Sequence, residues 1–168
     1  MRTETAVSVE EYLHTAYKPN CEYVDGMLVP KAMGTKKHGR LQTHLGTVIG
    51  LEFPLYVVSA ERTVRINANQ YLIPDLAVER RDQSQDPYPV LPIRLCIEML
   101  SPDDSLKETF AKCETYHEWG TVNTWIIDPV AKRAWQYMKG SAPLEIEPSG
   151  ELQAGPIHIL LADVFSDL

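Results

Sequence analysis

The sequence predicts an α/β protein in which a central mixed β-sheet is flanked by helices and preceded by an N-terminal hairpin. Three observations carry this. Short runs rich in β-branched and aromatic residues recur along the chain, as at Tyr56-Val57-Val58, Thr63 to Ile66 and Thr124 to Ile127. Two longer segments repeat apolar residues at spacings of three and four, the period of a helix with one buried face. The second of these segments lies between two apolar strands, as a crossover connection does.

Taken in order, Ser8 with Glu11 three residues on forms a capping box, and a helix is predicted from Val9 to Tyr17, ended by Pro19-Asn20. Glu22-Tyr23-Val24 and Met27-Leu28-Val29 flank Asp25-Gly26, a dipeptide suited to the positive φ angles of a tight turn, so they read as a hairpin. Leu41, Leu45, Val48 and Leu51 mark an amphipathic helix over 37–52 with Pro54 just beyond it. Three strands follow, at 56–58, 63–66 and 71–78. The proline-rich segment 82–92 reads as a surface loop, because proline cannot donate to a ladder. After a strand over 94–100, Leu106, Phe110, Cys113 and His117 form one stripe of a helix within 104–119, stopped by Gly120. Thr124 to Ile127 and Ala134 to Tyr137 read as strands joined by the Asp128-Pro129 turn, and Ile157 to Leu160 is the clearest strand beyond them.

Length and composition bound the function. At 168 residues, 44% hydrophobic and 23% charged, the chain reads as one globular domain spanning 1–168. Three cysteines without zinc-type spacing, two of them in apolar surroundings, imply buried reduced thiols and a cytoplasmic setting. No run reaches the roughly 20 apolar residues that span a bilayer, and no secretory leader is read at the N-terminus, so membrane association is not expected. A net charge of -7 argues against a broad basic surface, leaving Lys36 to Arg40 and Arg80-Arg81 as local basic stretches. There is no nucleophile elbow, glycine-rich phosphate loop or helical pair of metal-binding histidines, which speaks against a small-molecule hydrolase.

Between Ile73 and Leu100, Asp75 and Glu98 each interrupt an apolar, strand-like run. A buried carboxylate needs a partner or a metal to remain ionised, so two of them on neighbouring strands are candidate ligands of one hard cation. Their mutual repulsion is expected to raise both pKa values until a cation arrives. Bland alternatives stand beside these readings. Asp75 would also suit a turn cap, Glu22 an exposed hairpin acid, Tyr116 a packing residue and His38 a polar helix start. Lys112 would also suit a solvated pair with Glu108, four residues earlier.

Glu22-Tyr23-Val24-Asp25-Gly26, Pro74-Asp75, Glu98-Met99-Leu100-Ser101-Pro102, Lys112 with Tyr116, and Trp125-Ile126-Ile127-Asp128-Pro129 occur in an order that resembles the Uma-type restriction endonuclease family, within the PD-(D/E)XK nuclease superfamily. The resemblance runs from about Ser8 to Tyr137. It implies a restriction-endonuclease-like fold and a metal-dependent endonuclease acting on nucleic acid, with DNA the expected partner. It also implies Mg2+, or Mn2+, held by Asp75 and Glu98, with Glu22 as a further acid. The superfamily's lysine position, two residues after the acid, is taken here by Leu100, which is expected to close the apolar floor of the site. Lys112 is the matching cation on the following helix, with Lys107 a weaker second choice. The alternative is a non-catalytic binding or assembly module that keeps the nuclease fold. A homodimer is expected because Trp135 and Tyr137 on a late hairpin need cover, and because a duplex has two strands to cut.

Overall fold

A computed structural model describes residues 6–168. Ser8 caps α1 (Val9–His14) by accepting from the Glu11 amide at 3.1 Å. The helix is shorter than expected, because Thr15 is already extended. The predicted hairpin is β1 (Cys21–Val24) and β2 (Met27–Pro30), turning at Asp25 and Gly26, both at positive φ. Helix α2 (Lys36–Glu52) follows, capped by Thr35. Its buried stripe is Leu41, Leu45 and Ile49, and Leu51 is 77% exposed. At 3.6 residues per turn Leu51 points about 200° away from Ile49, so the stripe runs through Ile49, with the expected Val48 packed at its edge and the expected Leu51 outside it.

Strands β3 (Tyr56–Ala60) and β4 (Val64–Asn67) match expectation, but the predicted strand 71–78 is two strands. These are β5 (Gln70–Leu72) and β6 (Leu76–Arg80), and they belong to different sheets. The break falls at Ile73-Pro74-Asp75, where Pro74 has no N–H for a ladder. Strand β7 (Leu95–Met99), helix α3 (Leu106–Trp119) and strand β8 (Asn123–Asp128) then form a crossover unit, with β7 and β8 parallel. The chain ends with β9 (Arg133–Met138), the short β10 (Leu144–Glu145), the hairpin β11 (Glu151–Ala154) and β12 (Ile157–Leu160), and α4 (Leu161–Val164).

The central sheet has six strands in the order β10-β9-β8-β7-β6-β3, mixed because only β7 and β8 run parallel. One face, with Leu76, Val78, Leu95, Ile97, Trp125 and Ile127, packs on the α2 stripe and on the β11–β12 hairpin with α4. On the other face Ala77 and Cys96 meet Tyr116, and Ile126 meets Cys113, both from α3. The expected α/β class with helices on both faces of a mixed sheet is therefore present. A second, antiparallel sheet of order β2-β1-β5-β4 was not expected. Its Tyr23 and Tyr71 pack with Tyr12 of α1.

Trp135 and Tyr137 are 6% and 8% exposed, covered within the chain by Phe110, Cys113 and neighbouring residues of α3. The uncovered aromatic edge offered as a reason for a dimer is thus absent. Leu100 also departs from expectation. It packs with Cys113, Ile126 and Trp135 beneath α3 and does not line the cleft described below. The three cysteines are free and buried, and no helix among the described residues is long and apolar enough to cross a membrane.

Candidate active site

Strand β6 pairs antiparallel with β7, Leu76 opposite Ile97 and Ala77 opposite Cys96. Continuing that register by one step sets Asp75 opposite Glu98, and alternation along each strand turns both toward the α3 side of the sheet. Asp75 and Glu98 are 3% and 6% exposed. They line one cleft of about 540 Å3 with Glu22, Lys31, His38 and Lys112.

Glu98 is anchored from α3. Tyr116 donates its hydroxyl to Glu98 Oε1 at 2.7 Å, and Lys112, one turn earlier, places Nζ 2.9 Å from the same atom. Lys112 also lies 2.7 Å from Glu22 Oε1. Glu22 Oε1 in turn accepts the Ile73 amide at 2.8 Å. The solvated Lys112–Glu108 pair is therefore not formed. Glu22 is 8% exposed rather than a free hairpin acid, and Tyr116 is fully buried. Burial pushes the Glu98 carboxyl up to about 7, against the pull of Lys112 and with further upward pressure from Asp75. Burial disfavours the charged form of Lys112, but Glu98 and Glu22 outweigh it and hold the ammonium above the ordinary lysine range. Burial is the main reason that Glu98 favours its protonated form, and the surplus negative charge of Asp75 and Glu22 adds to it.

Asp75 is held differently. Its Oδ2 accepts the Met99 amide at 2.7 Å, and its Oδ1 lies 2.8 Å from Lys31 Nζ and 3.5 Å from His38 Nε2. Gln42, one turn after His38 on α2, donates to the Asp75 backbone carbonyl at 2.7 Å. Thr35 accepts the His38 amide at 3.2 Å, which caps the first turn of α2, the turn that carries His38. Burial would raise the Asp75 pKa, but the His38 hydrogen bond and the Lys31 charge prevail and hold the carboxyl below the usual range. The expectation that Asp75 and Glu98 raise each other is thus corrected for Asp75, because cations from two other elements already neutralise it.

The two carboxylates suit a hard divalent cation, and His38 adds an imidazole nitrogen beside them. His38, Glu61 and Asp75 each present a ligand atom within 4.8 Å of the others. Asp75 belongs both to this group and to the expected pair with Glu98. Lys31, Glu61 and Gln42 escape sequence reasoning. Lys31 follows β2 in an irregular connection and Glu61 occupies a turn at φ 51°. Only the positive-φ position of a non-glycine residue carries any local signal, and it is invisible before the backbone is known. Lys107, the second choice for the cation, is exposed on α3 and does not line the cleft.

Comparison with known proteins agrees with the fold. A family model for Uma2, described as "Putative restriction endonuclease", matches residues 9–160. The chain is similar to a crystal structure of "a putative nuclease belonging to DUF820" from Anabaena variabilis ATCC 29413, with 22% identity, a TM-score of 0.80, and coverage of 95% of this chain and 98% of that one. It also overlaps a cryo-EM structure of a DrdV–DNA complex at 14% identity and a TM-score of 0.40, over 64% of this chain and 12% of that one. No curated protein matches the chain. The family match extends from α1 through β12, taking in both acidic strands and α3, and the chain belongs to the Uma2 family of restriction-endonuclease-like proteins.

Proposed function

We propose that the protein is a metal-dependent endonuclease that hydrolyses phosphodiester bonds of nucleic acid, DNA in the first instance. The observation that carries this reading is Lys112 Nζ, 2.9 Å from Glu98 and 2.7 Å from Glu22 in the cleft that also holds Asp75. A cation beside two acids supplies what phosphoryl transfer needs without a lysine on the strand itself. Magnesium or manganese would be held by Asp75, together with Glu98 or with His38 and Glu61. When bound, such an ion supplies Lewis-acid polarisation of a phosphoryl oxygen and acidifies an attacking water.

The remaining roles belong to the chain. Lys112 stabilises the negative charge that develops on the phosphoryl group. Tyr116 fixes the orientation of the Glu98 carboxyl through its hydroxyl hydrogen bond. Glu22 sets the position of Lys112. The 168 residues act as one restriction-endonuclease-like domain, which a hydrophobic core extending from Leu41 to Phe165 supports. A cytoplasmic location fits the three buried free thiols. A homodimer now rests on the two strands of a duplex alone, and a monomer in light scattering at high concentration removes it.

The test is cleavage of supercoiled plasmid with Mg2+ or Mn2+, with and without chelator, by the wild type and by Lys112→Met and Glu98→Gln. Metal-dependent nicking lost by about a hundredfold in both variants is expected. Equal cleavage by wild type and variants sinks the mechanism. The second reading, a non-catalytic module, is favoured by Lys31 already neutralising Asp75. Metal-independent DNA binding without cleavage is its signature.

A further inference from the structure

Lys31 is a cation that the mechanism above does not use. It lies just past β2 in the connection to α2, and its side chain is 14% exposed. Its Nζ is 2.8 Å from Asp75 Oδ1, 2.8 Å from the Ile73 carbonyl oxygen and 3.3 Å from Glu61. Three oxygens gathered round one ammonium resemble the surroundings of a small hard cation. His38 borders the same place. Its side chain is nine-tenths buried, with Nε2 3.5 Å from Asp75 Oδ1, and its Nδ1 has no hydrogen-bond partner among the described residues. His38, Glu61 and Asp75 thus surround a point that a divalent ion would share with the Lys31 ammonium. Both cannot stand on Asp75 Oδ1, because like charges a few ångströms apart in a half-buried cleft repel strongly.

We propose that Lys31 is the resident counter-ion of the acidic site and is displaced from Asp75 by a divalent cation. This rests on the reading of Asp75 as a metal ligand. Lys112 also reaches the Ile73 carbonyl, at 3.4 Å, but Glu22 and Glu98 hold it at 2.7 and 2.9 Å, so it stays in place when Lys31 leaves. Lys31 can leave by rotation of its long side chain alone, since its backbone stays anchored where the Lys31 amide donates to the Asn20 carbonyl at 2.8 Å. Its departure moves one positive charge from Asp75 to the rim of the cleft, where a polyanionic backbone would pass. Metal arrival and strengthened phosphate attraction are thereby the same event. The mixed set of one imidazole nitrogen and two carboxylates also suits Mn2+ better than Mg2+, which favours oxygen ligands alone.

The experiment measures Mn2+ binding by calorimetry for the wild type, Lys31→Met and Asp75→Asn. In parallel, the acylation rate of Lys31 in the wild type is followed by peptide mapping with and without saturating Mn2+. Removing the competing ammonium should tighten Mn2+ binding by about tenfold or more, because the competent fraction of the site no longer includes a displacement step. Acylation of Lys31 should quicken severalfold with metal while exposed Lys107 stays constant. If Asp75→Asn abolishes binding but Lys31→Met binds no tighter than wild type, or if Lys31 acylation is unmoved by metal, the exchange is refuted and the metal site stands. If the wild type binds no Mn2+ at all, the metal-dependent reading falls and takes the exchange with it. The acylation measurement needs no variant, so a poorly folding Lys31→Met leaves the proposal open to refutation.

Discussion

Replacing Lys112 by Met keeps the length of the side chain and removes its charge. The ammonium sits between Glu22 and Glu98 at 2.7 and 2.9 Å with its side chain 20% exposed. Loss of one partner from such a buried pair leaves two acids facing each other and costs about 3 kcal/mol, the lower part of the range for broken buried ion pairs. For a domain of this size that corresponds to a Tm lower by about 6–12 °C at pH 8. The pH dependence provides an internal control. Glu98 has a folded pKa of about 7 against an ordinary 4.5, so the folded state binds more protons and stability declines as pH rises from 4.5 through 7. Without Lys112 the folded pKa rises further, and the decline continues to higher pH. The deficit of Lys112→Met is therefore smallest near pH 5, where Glu98 is protonated in both proteins, and largest at pH 8. Thermal denaturation from pH 5 to 8 measures it. A Tm within about 1 °C of wild type at pH 8, or a deficit that shrinks as pH rises, would refute the bridging arrangement.

Three further outcomes are expected. Asp75→Asn removes a carboxylate held below its usual pKa, so the variant should be less stable than wild type at pH 7 and lose less stability on acidification below about pH 4, as read by urea denaturation across pH. Arg62→Met strands Glu79, which is 3% exposed and pairs with the Arg62 guanidinium, and should destabilise by about 3 kcal/mol; the double variant with Glu79→Gln should recover more than half of that, and no recovery would show that the pair is not the cause. Gly155→Ala should lower Tm by several degrees, because Gly155 has φ 63° and an added Cβ would overlap the Arg94 guanidinium, whereas the nearby exposed Gln153→Ala should change Tm little.

The acids of the site were legible because burial makes them anomalous. Asp75 and Glu98 stand in runs of apolar residues where an unpaired charge has no reason to be, but only the β6–β7 register puts them side by side on one face. Lys112 and Glu22 became legible through the order of short motifs rather than through any local property. Lys31 had neither signal: its neighbours Pro30, Ala32 and Met33 describe an ordinary connection, and its meaning arises only from a contact 44 residues away. The strand break at Pro74 shows the opposite failure. The proline was visible, yet β5 and β6 both continue the apolar run, so composition concealed a change of sheet that hydrogen-bond geometry enforces.

That change of sheet has a kinetic consequence. The Ile73 peptide donates its N–H to Glu22 and receives both Lys31 and Lys112 at its carbonyl, contacts separated by 51, 42 and 39 residues along the chain. Bonds of such long range form only after large loops have closed, so they belong to the late, entropically demanding part of folding. The four-stranded sheet and the central sheet must both be in place before Ile73 has partners at either end. Its amide hydrogen should therefore exchange with solvent on the timescale of the cleft's own opening, and a single backbone proton becomes a clock for whether the acidic residues are assembled.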